Sequence, residues 1–137
     1  MAGVYFADSF YWIALAHPRD TFHDRVVTWE RRNPSARFIT TEEILGEVLT
    51  WFARSGSAAR AAAAELVRDT LSDVSIRVLP QSSLDFHAAL ALYETRLDKE
   101  YSLTDCRSMV ALRALGISEV LTNDHHFTQE GFTILFP

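Results

Sequence analysis

Short apolar runs alternate along this chain with longer stretches whose apolar residues recur at helical spacing. Val4–Ala7 is an apolar run that ends at Asp8 and predicts a buried strand. Ser9–Ala16 follows as a short helix, stopped at His17-Pro18 because the residue before a proline is pushed out of helical geometry. Asp20 or Thr21 is placed to cap the next helix, which carries Phe22, Val26 and Trp29 along one side and runs to about Arg32. Arg37–Thr40 reads as a second strand. Thr41–Ser55 predicts a strongly amphipathic helix, with Ile44, Leu45, Val48, Leu49, Trp51 and Phe52 on one broad face, and Gly56 ends it.

The second half repeats the alternation. Ala58–Ser72 is helical, Ile76–Leu79 a third strand, and Ser83–Leu97 a helix led by Leu84, His87, Leu90 and Ala91. Thr104–Leu115 is a helix closed by Gly116, Glu119–Thr122 a strand, and Phe132–Phe136 a last strand. Strands separated by helical patterns predict an α/β architecture, a mainly parallel central sheet flanked by helices, in a single domain over residues 1–137.

Composition narrows the class. The chain has 137 residues, 48% of them hydrophobic, enough for a sizeable core and against disorder. Its longest early apolar run, Phe10–Ala16, is too short for a membrane span and lacks a basic lead, so neither a span nor a secretory signal is expected. The one cysteine, Cys106, can form no internal disulfide, which predicts a reducing, cytoplasmic setting. The net charge of −5 disfavours a protein that only coats nucleic acid, since that affinity comes from neutralising phosphates. It leaves room for a nuclease whose carboxylates hold divalent cations, because bound cations reverse the local field. Twelve of the thirteen basic residues are arginine, a bias that suits phosphate recognition and also follows from genomic base composition.

Four acids fall at informative places on this map. Asp8 sits at the carboxyl end of the first strand and Asp124 just after the strand Glu119–Thr122, where open α/β sheets build their sites. Asp8 also has an ordinary reading, as N-cap of the helix that starts at Ser9. Glu47 lies about 60° from Ile44 and about 40° from Trp51 around the helix, at the margin of the apolar face, where a carboxylate can point into a cleft. Glu42 and Glu43 compete with it, but Thr40-x-x-Glu43 has the form of a capping box that occupies Glu43. Ser102-x-x-Asp105 is a capping box too, at a helix end near the connecting loops. Asp124 stands in Thr122-Asn123-Asp124-His125-His126-Phe127, where a turn aspartate is the ordinary expectation.

Taken together, Phe6-Ala7-Asp8-Ser9, Ile44-Leu45-Gly46-Glu47-Val48-Leu49, Leu103-Thr104-Asp105 and Leu121-Thr122-Asn123-Asp124-His125-His126-Phe127 resemble the four acidic motifs of PIN-domain nucleases, in order and over nearly the whole chain. The length is similar to that of the stand-alone VapC-type toxins of prokaryotic toxin–antitoxin pairs. The resemblance implies Asp8, Glu47, Asp105 and Asp124 as the catalytic, metal-binding quartet, with Thr122 supporting it. It also implies Mg²⁺ or Mn²⁺ as cofactor, RNA as substrate, a protein antitoxin as partner and a homodimer. A PIN nuclease of RNA processing or decay without an antitoxin is an alternative, and a catalytically silent α/β interaction module is another.

The chemistry agrees with such a set. Phosphodiester hydrolysis must neutralise the phosphate, activate a water and stabilise the leaving oxygen, and a hard divalent cation on carboxylates serves all three, whether one ion or two are bound. Crowded acids repel, so their proton affinity rises without the cation. Adjacent His125 and His126 on an extended segment point to opposite faces, which disfavours a zinc pair. His17, His23 and His87 carry no chemical signal. No G-x-S-x-G or P-loop sequence is present, and Cys106 lies inside a helix. Arg54, seven residues beyond Glu47, falls on nearly the same helix face and is a candidate phosphate contact as well as an ordinary surface arginine. Trp51 between them is assigned to the core, with base stacking as the lesser expectation.

Overall fold

The computed structural model describes residues 3–137, so the first two residues of the predicted domain lie outside the described part. The elements in chain order are β1 (Val4–Ala7), α1 (Ser9–Ala16), α2 (His23–Arg32), β2 (Arg37–Thr41), α3 (Glu42–Trp51), α4 (Ser57–Ser72), β3 (Ile76–Leu79), α5 (Ser83–Glu94), α6 (Leu103–Leu115), β4 (Glu119–Leu121), α7 (His126–Gln129) and β5 (Thr133–Ile134). Among the described residues the strands form one parallel sheet in the order β3-β2-β1-β4-β5. The α/β architecture read from the strand and helix periods is therefore the one adopted. None of the described helices is long and apolar enough to cross a membrane.

The carboxyl-terminal halves of the central strands are buried on both faces, which explains the apolar pairs Phe6-Ala7 in β1 and Val120-Leu121 in β4. Phe6, Ala7, Val120 and Leu121 have no exposed surface. Burying a side chain such as Phe6 or Leu121 stabilises the fold by roughly 1.5–3 kcal/mol relative to exposure. Thr40, also fully buried, donates its hydroxyl to the Ala7 carbonyl (2.9 Å) and accepts from the Trp12 indole (3.4 Å). Its polar group is thus satisfied inside the sheet–helix layer.

Strand order makes a switch at β1. The chain runs outward from β1 to β2 and β3, then returns through α5 and α6 to lay β4 and β5 on the other side. Loops leaving β1 and β4 in opposite directions open a crevice at the carboxyl ends of these two strands. Asp8 and Thr122 stand there, immediately after β1 and β4.

Several local expectations are corrected. Helix α3 ends at Trp51, four residues before the predicted Ser55. Phe52 turns inward and is 7% exposed, while residues 52–55 close into turns held by Ala53 N–H to Thr50 O and Ser55 N–H to Phe52 O. Gly56, at φ 94°, precedes α4, in a conformation that would strain any residue carrying a side chain. Trp51 therefore points outward, 60% exposed, and is no core residue. Arg54 loses its shared helix face with Glu47 and is exposed in the turn.

The predicted Thr40–Glu43 capping box is absent. Thr41 is the N-cap, accepting from the Ile44 amide (3.1 Å), because β2 continues one residue further than read. Neither Asp20 nor Thr21 caps α2. The Asp20 carboxylate accepts from the Phe22 amide (2.8 Å) in the turn before it, and α2 starts at His23. On α5 the predicted apolar face is reversed. Leu84 and Leu90 are exposed, and Ala89 is the buried contact, since small residues let α5 lie close on α6.

Candidate metal centre

The acids at the crevice are placed by backbone events that precede them. Asp8 is the first residue after β1, and its amide hydrogen-bonds to the Leu121 carbonyl (3.4 Å), which fixes it beside β4. It occupies the N-cap position of α1 but makes no side-chain capping bond. One oxygen instead accepts from the Thr122 hydroxyl at 2.8 Å. Thr122 in turn accepts from the Asp124 amide (3.1 Å), and Asp124 Oδ1 accepts from the His126 amide (2.9 Å). This chain of three bonds carries the segment from the end of β4 to the start of α7. Asp124 is thus the turn aspartate that its neighbours suggested, and its turn holds it at the crevice.

Asp105 arrives from α6. Its capping box with Ser102 is complete: Ser102 N–H donates to Asp105 Oδ2 and Asp105 N–H donates to Ser102 Oγ, both at 3.0 Å. Capping orients the carboxylate without consuming it, because the same Oδ2 lies 3.6 Å from His126 Nδ1. His126 Nδ1 also lies 3.3 Å from Asp124 Oδ1. One ligand atom each from Asp105, Asp124 and His126 falls within 4.8 Å of the others. His126 Nδ1 is buried and has no hydrogen-bond partner.

His126 is the participant that sequence reasoning missed. Adjacent histidines point apart only on an extended segment, whereas α7 begins at His126 and turns its ring into the cluster. A strand followed by the four residues 122–125, with phenylalanine at the second helical position, was the signal for it. His125 remains exposed, so the two histidines still do not act as a pair.

Burial and mutual repulsion raise the proton affinity of the group. Burial pushes the Asp8 carboxyl up to about 7, against the lowering effect of the Thr122 hydroxyl and the Ser9 amide, and Asp105 and Glu47 push it the same way. Glu47 is raised by burial above all, opposed by the Ser9 hydroxyl, with Asp105 and Asp124 adding repulsion. Asp105 is raised by burial first and by Asp124, against the Ser102 hydrogen bonds and the His126 ring. Among the groups acting on these three carboxyls, His126 is the only one able to carry positive charge.

Glu47 is coupled to Asp8, Asp105 and Asp124 through these charges but lies outside the tight Asp105–Asp124–His126 group, as does Asp8. A cleft of about 680 Å³ opens over Asp8, Thr122, Asp124 and His126. An adjoining cleft of about 640 Å³ opens over Glu47, Glu43 and Thr104. Ser9, Ile13 and Trp51 line both. Arg54 lines neither. A third cleft, about 660 Å³ between α2 and α4, contains none of the four acids.

Glu43 has a different partner from the one expected. Its Oε2 accepts from Arg107 Nε at 2.9 Å, and Arg107 also reaches Asp85 (3.4 Å) and the Pro80 carbonyl (3.2 Å). Arg107 and Glu43 thereby pin α6 to α3, the helices that carry Asp105 and Glu47.

The carboxylates suit a hard divalent cation, since buried Asp8 and half-buried Asp105 hold their protons for want of positive charge, and the His126 nitrogen without a partner adds a softer donor beside them. Comparison with known proteins agrees with this architecture. The structure is similar to that of Mycobacterium tuberculosis VapC20, a sarcin–ricin loop cleaving toxin, with TM-score 0.81 and 24% identity over 95% of this chain and 96% of that one. It is also similar to PAE2754 from Pyrobaculum aerophilum, with TM-score 0.63 and 20% identity over 98% of this chain and 92% of that one. No curated protein sequence matches the chain. The PIN-domain family model matches residues 5–132, and the chain belongs to the PIN-domain family.

Proposed function

We propose that this PIN domain is a Mg²⁺- or Mn²⁺-dependent endoribonuclease and acts as the toxin of a toxin–antitoxin pair. The observation that carries the reading is the set of mutually repelling carboxyls at the sheet switch point, Asp8 buried and Glu47 and Asp105 half-buried, with no lysine or arginine among them. Asp8, Glu47, Asp105 and Asp124 would hold the cation, and His126 Nδ1 offers a nitrogen that Mn²⁺ accepts more readily than Mg²⁺. The bound cation supplies charge to neutralise the phosphate and to make an attacking water acidic.

The chain's own residues do the rest. Thr122 holds one Asp8 oxygen at 2.8 Å and so fixes the carboxylate where it lines the cleft. The Ser102 cap and the turn to His126 fix the Asp105 and Asp124 carboxylates before any ligand arrives, so little reorganisation of these two is left to binding. Water attacks phosphorus, the bond to the leaving ribose oxygen breaks, and one fragment keeps the phosphate.

Similarity to a toxin that cleaves the sarcin–ricin loop supports RNA as the substrate class, and it supports an antitoxin partner. An arginine of that partner would neutralise the carboxylates in the cation's place, its planar fork bonding them in pairs. A homodimer would bury part of the exposed apolar stripe Phe86, Leu90 and Tyr93 on α5. The experiment is to incubate the pure protein with RNA across a Mg²⁺ and Mn²⁺ titration and sequence the new ends. Cutting that requires the cation and stops in Asp8→Asn is expected. Cutting that persists in chelator overturns the reading, and failure to find any adjacent antitoxin gene product that binds favours an RNA-processing role.

A further inference from the structure

Trp51 is the largest apolar side chain of α3 and yet is 60% exposed. The helix ends there, Phe52 takes the core position, and the indole is turned outward. The other two tryptophans are packed: Trp12 is 3% exposed and donates to Thr40, and half-buried Trp29 stands edge-on to Tyr5 at 5.0 Å. The exposed indole is not isolated on the surface. It lines both acid-lined clefts, with Ile13 and Ser9, so it stands between Asp8 and Asp124 on one side and Glu47 on the other. Glu47 lies one turn earlier on the same helix face, about 6 Å along the axis.

A ligand that occupies both clefts must cross this indole. Neither cleft is lined by lysine or arginine, so neither provides the basic groove that usually tracks a nucleic-acid backbone. Phosphate can be drawn only to cation-loaded carboxylates, and any further affinity has to come from uncharged contact. A flat, outward-facing indole offers that contact to another flat π-system, and every nucleobase has one.

We propose that Trp51 is a stacking platform for an unpaired nucleobase beside the phosphate that is cut, an inference that rests on the ribonuclease reading above. A base within a duplex has both faces covered, so the platform takes bases from single strands or loops. Substrate choice then depends on how readily a base can be splayed out at the cut, and less on its identity.

Two measurements on the full chain in Mg²⁺ test this. Indole emission, excited at the red edge where adenine does not absorb, is followed during titration with adenosine monophosphate and, separately, with ribose 5-phosphate. Adenosine monophosphate should quench and ribose 5-phosphate should not, and Trp51→Phe should lose the quenching because the remaining indoles are packed. In cleavage of a single-stranded RNA, Trp51→Ala should raise KM about tenfold with kcat little changed, and Trp51→Phe should stay within about threefold of the parent. Both variants should melt as the parent does. Equal quenching by the two ligands, or a Trp51→Ala KM within about twofold of the parent, overturns the proposal. A parent that cuts no RNA overturns the ribonuclease reading instead, and the quenching comparison still decides the platform.

Discussion

Replacing Arg107 by methionine removes the cation that joins α6 to α3 and leaves two carboxylates without their partner. The Arg107 side chain is 6% exposed, those of Glu43 and Asp85 21% and 35%. Breaking a buried pair by deleting one member costs about 3–5 kcal/mol, because the orphaned charge stays desolvated. Water can reach Glu43 and Asp85 in part, which lowers the expectation to about 2–3 kcal/mol. For a domain of 137 residues that is a fall in Tm of roughly 6–12 °C. Glu43 Oε1 already lacks a hydrogen-bond partner, so Glu43→Gln relieves a charge once Arg107 is gone. The double variant Arg107→Met with Glu43→Gln should therefore be more stable than the sum of the single losses, by at least about 1 kcal/mol. Thermal and denaturant unfolding of the four proteins gives the cycle. Additive losses, or an Arg107→Met protein that melts within about 1 °C of the parent, would refute the claim that this ion pair holds the two helices.

Glu47→Gln should abolish RNA cleavage while leaving the cation-free protein as stable as the parent or more so, since one of several repelling charges is removed. Glu43→Gln should destabilise and keep cutting, and the reverse pattern would move the site role to Glu43. Burial pushes Asp8 up to about 7 in the folded chain, well above an unfolded aspartate. Its contribution to stability is therefore full below about pH 4 and is lost as pH rises through 7. Without cation, Tm should fall between about pH 5 and 8, and the fall should shrink in Asp8→Asn or with Mn²⁺ present. A flat profile in chelator contradicts it. Glu130 has the opposite sign. The Arg96 hydrogen bond, with Arg113 and Tyr101, holds its carboxyl down to about 2 against the effect of burial. Its contribution is present above about pH 5 and lost as pH falls toward 2, so Glu130→Gln should lower Tm strongly at pH 7 and weakly at pH 3.

The strands and most helices were legible because the sheet is buried on both faces and the helices on one. Those two conditions write themselves into the chain as apolar runs and helical periods. Asp8 and Asp124 were legible for a topological reason, each being the first or third residue past a strand at the switch point. The end of α3 was not. Trp51 and Phe52 are adjacent aromatics, and only tertiary packing decides which of them enters the core. The Glu43–Arg107 pair spans 64 positions and leaves no local pattern, so a capping box accounted for Glu43 more simply. His126 was hidden by a four-residue helix, too short to show a period.

Asp8, Glu47, Asp105 and Asp124 are proposed to form one cation site. Isothermal titration of the pure protein with Mn²⁺ tests it most directly, with Asp8→Asn and Asp124→Asn beside the parent and unfolding measured on each. The parent should bind saturably and both variants at least about tenfold more weakly, since each loses a charged hard ligand while keeping its fold. Variants that bind Mn²⁺ as tightly as the parent would contradict it.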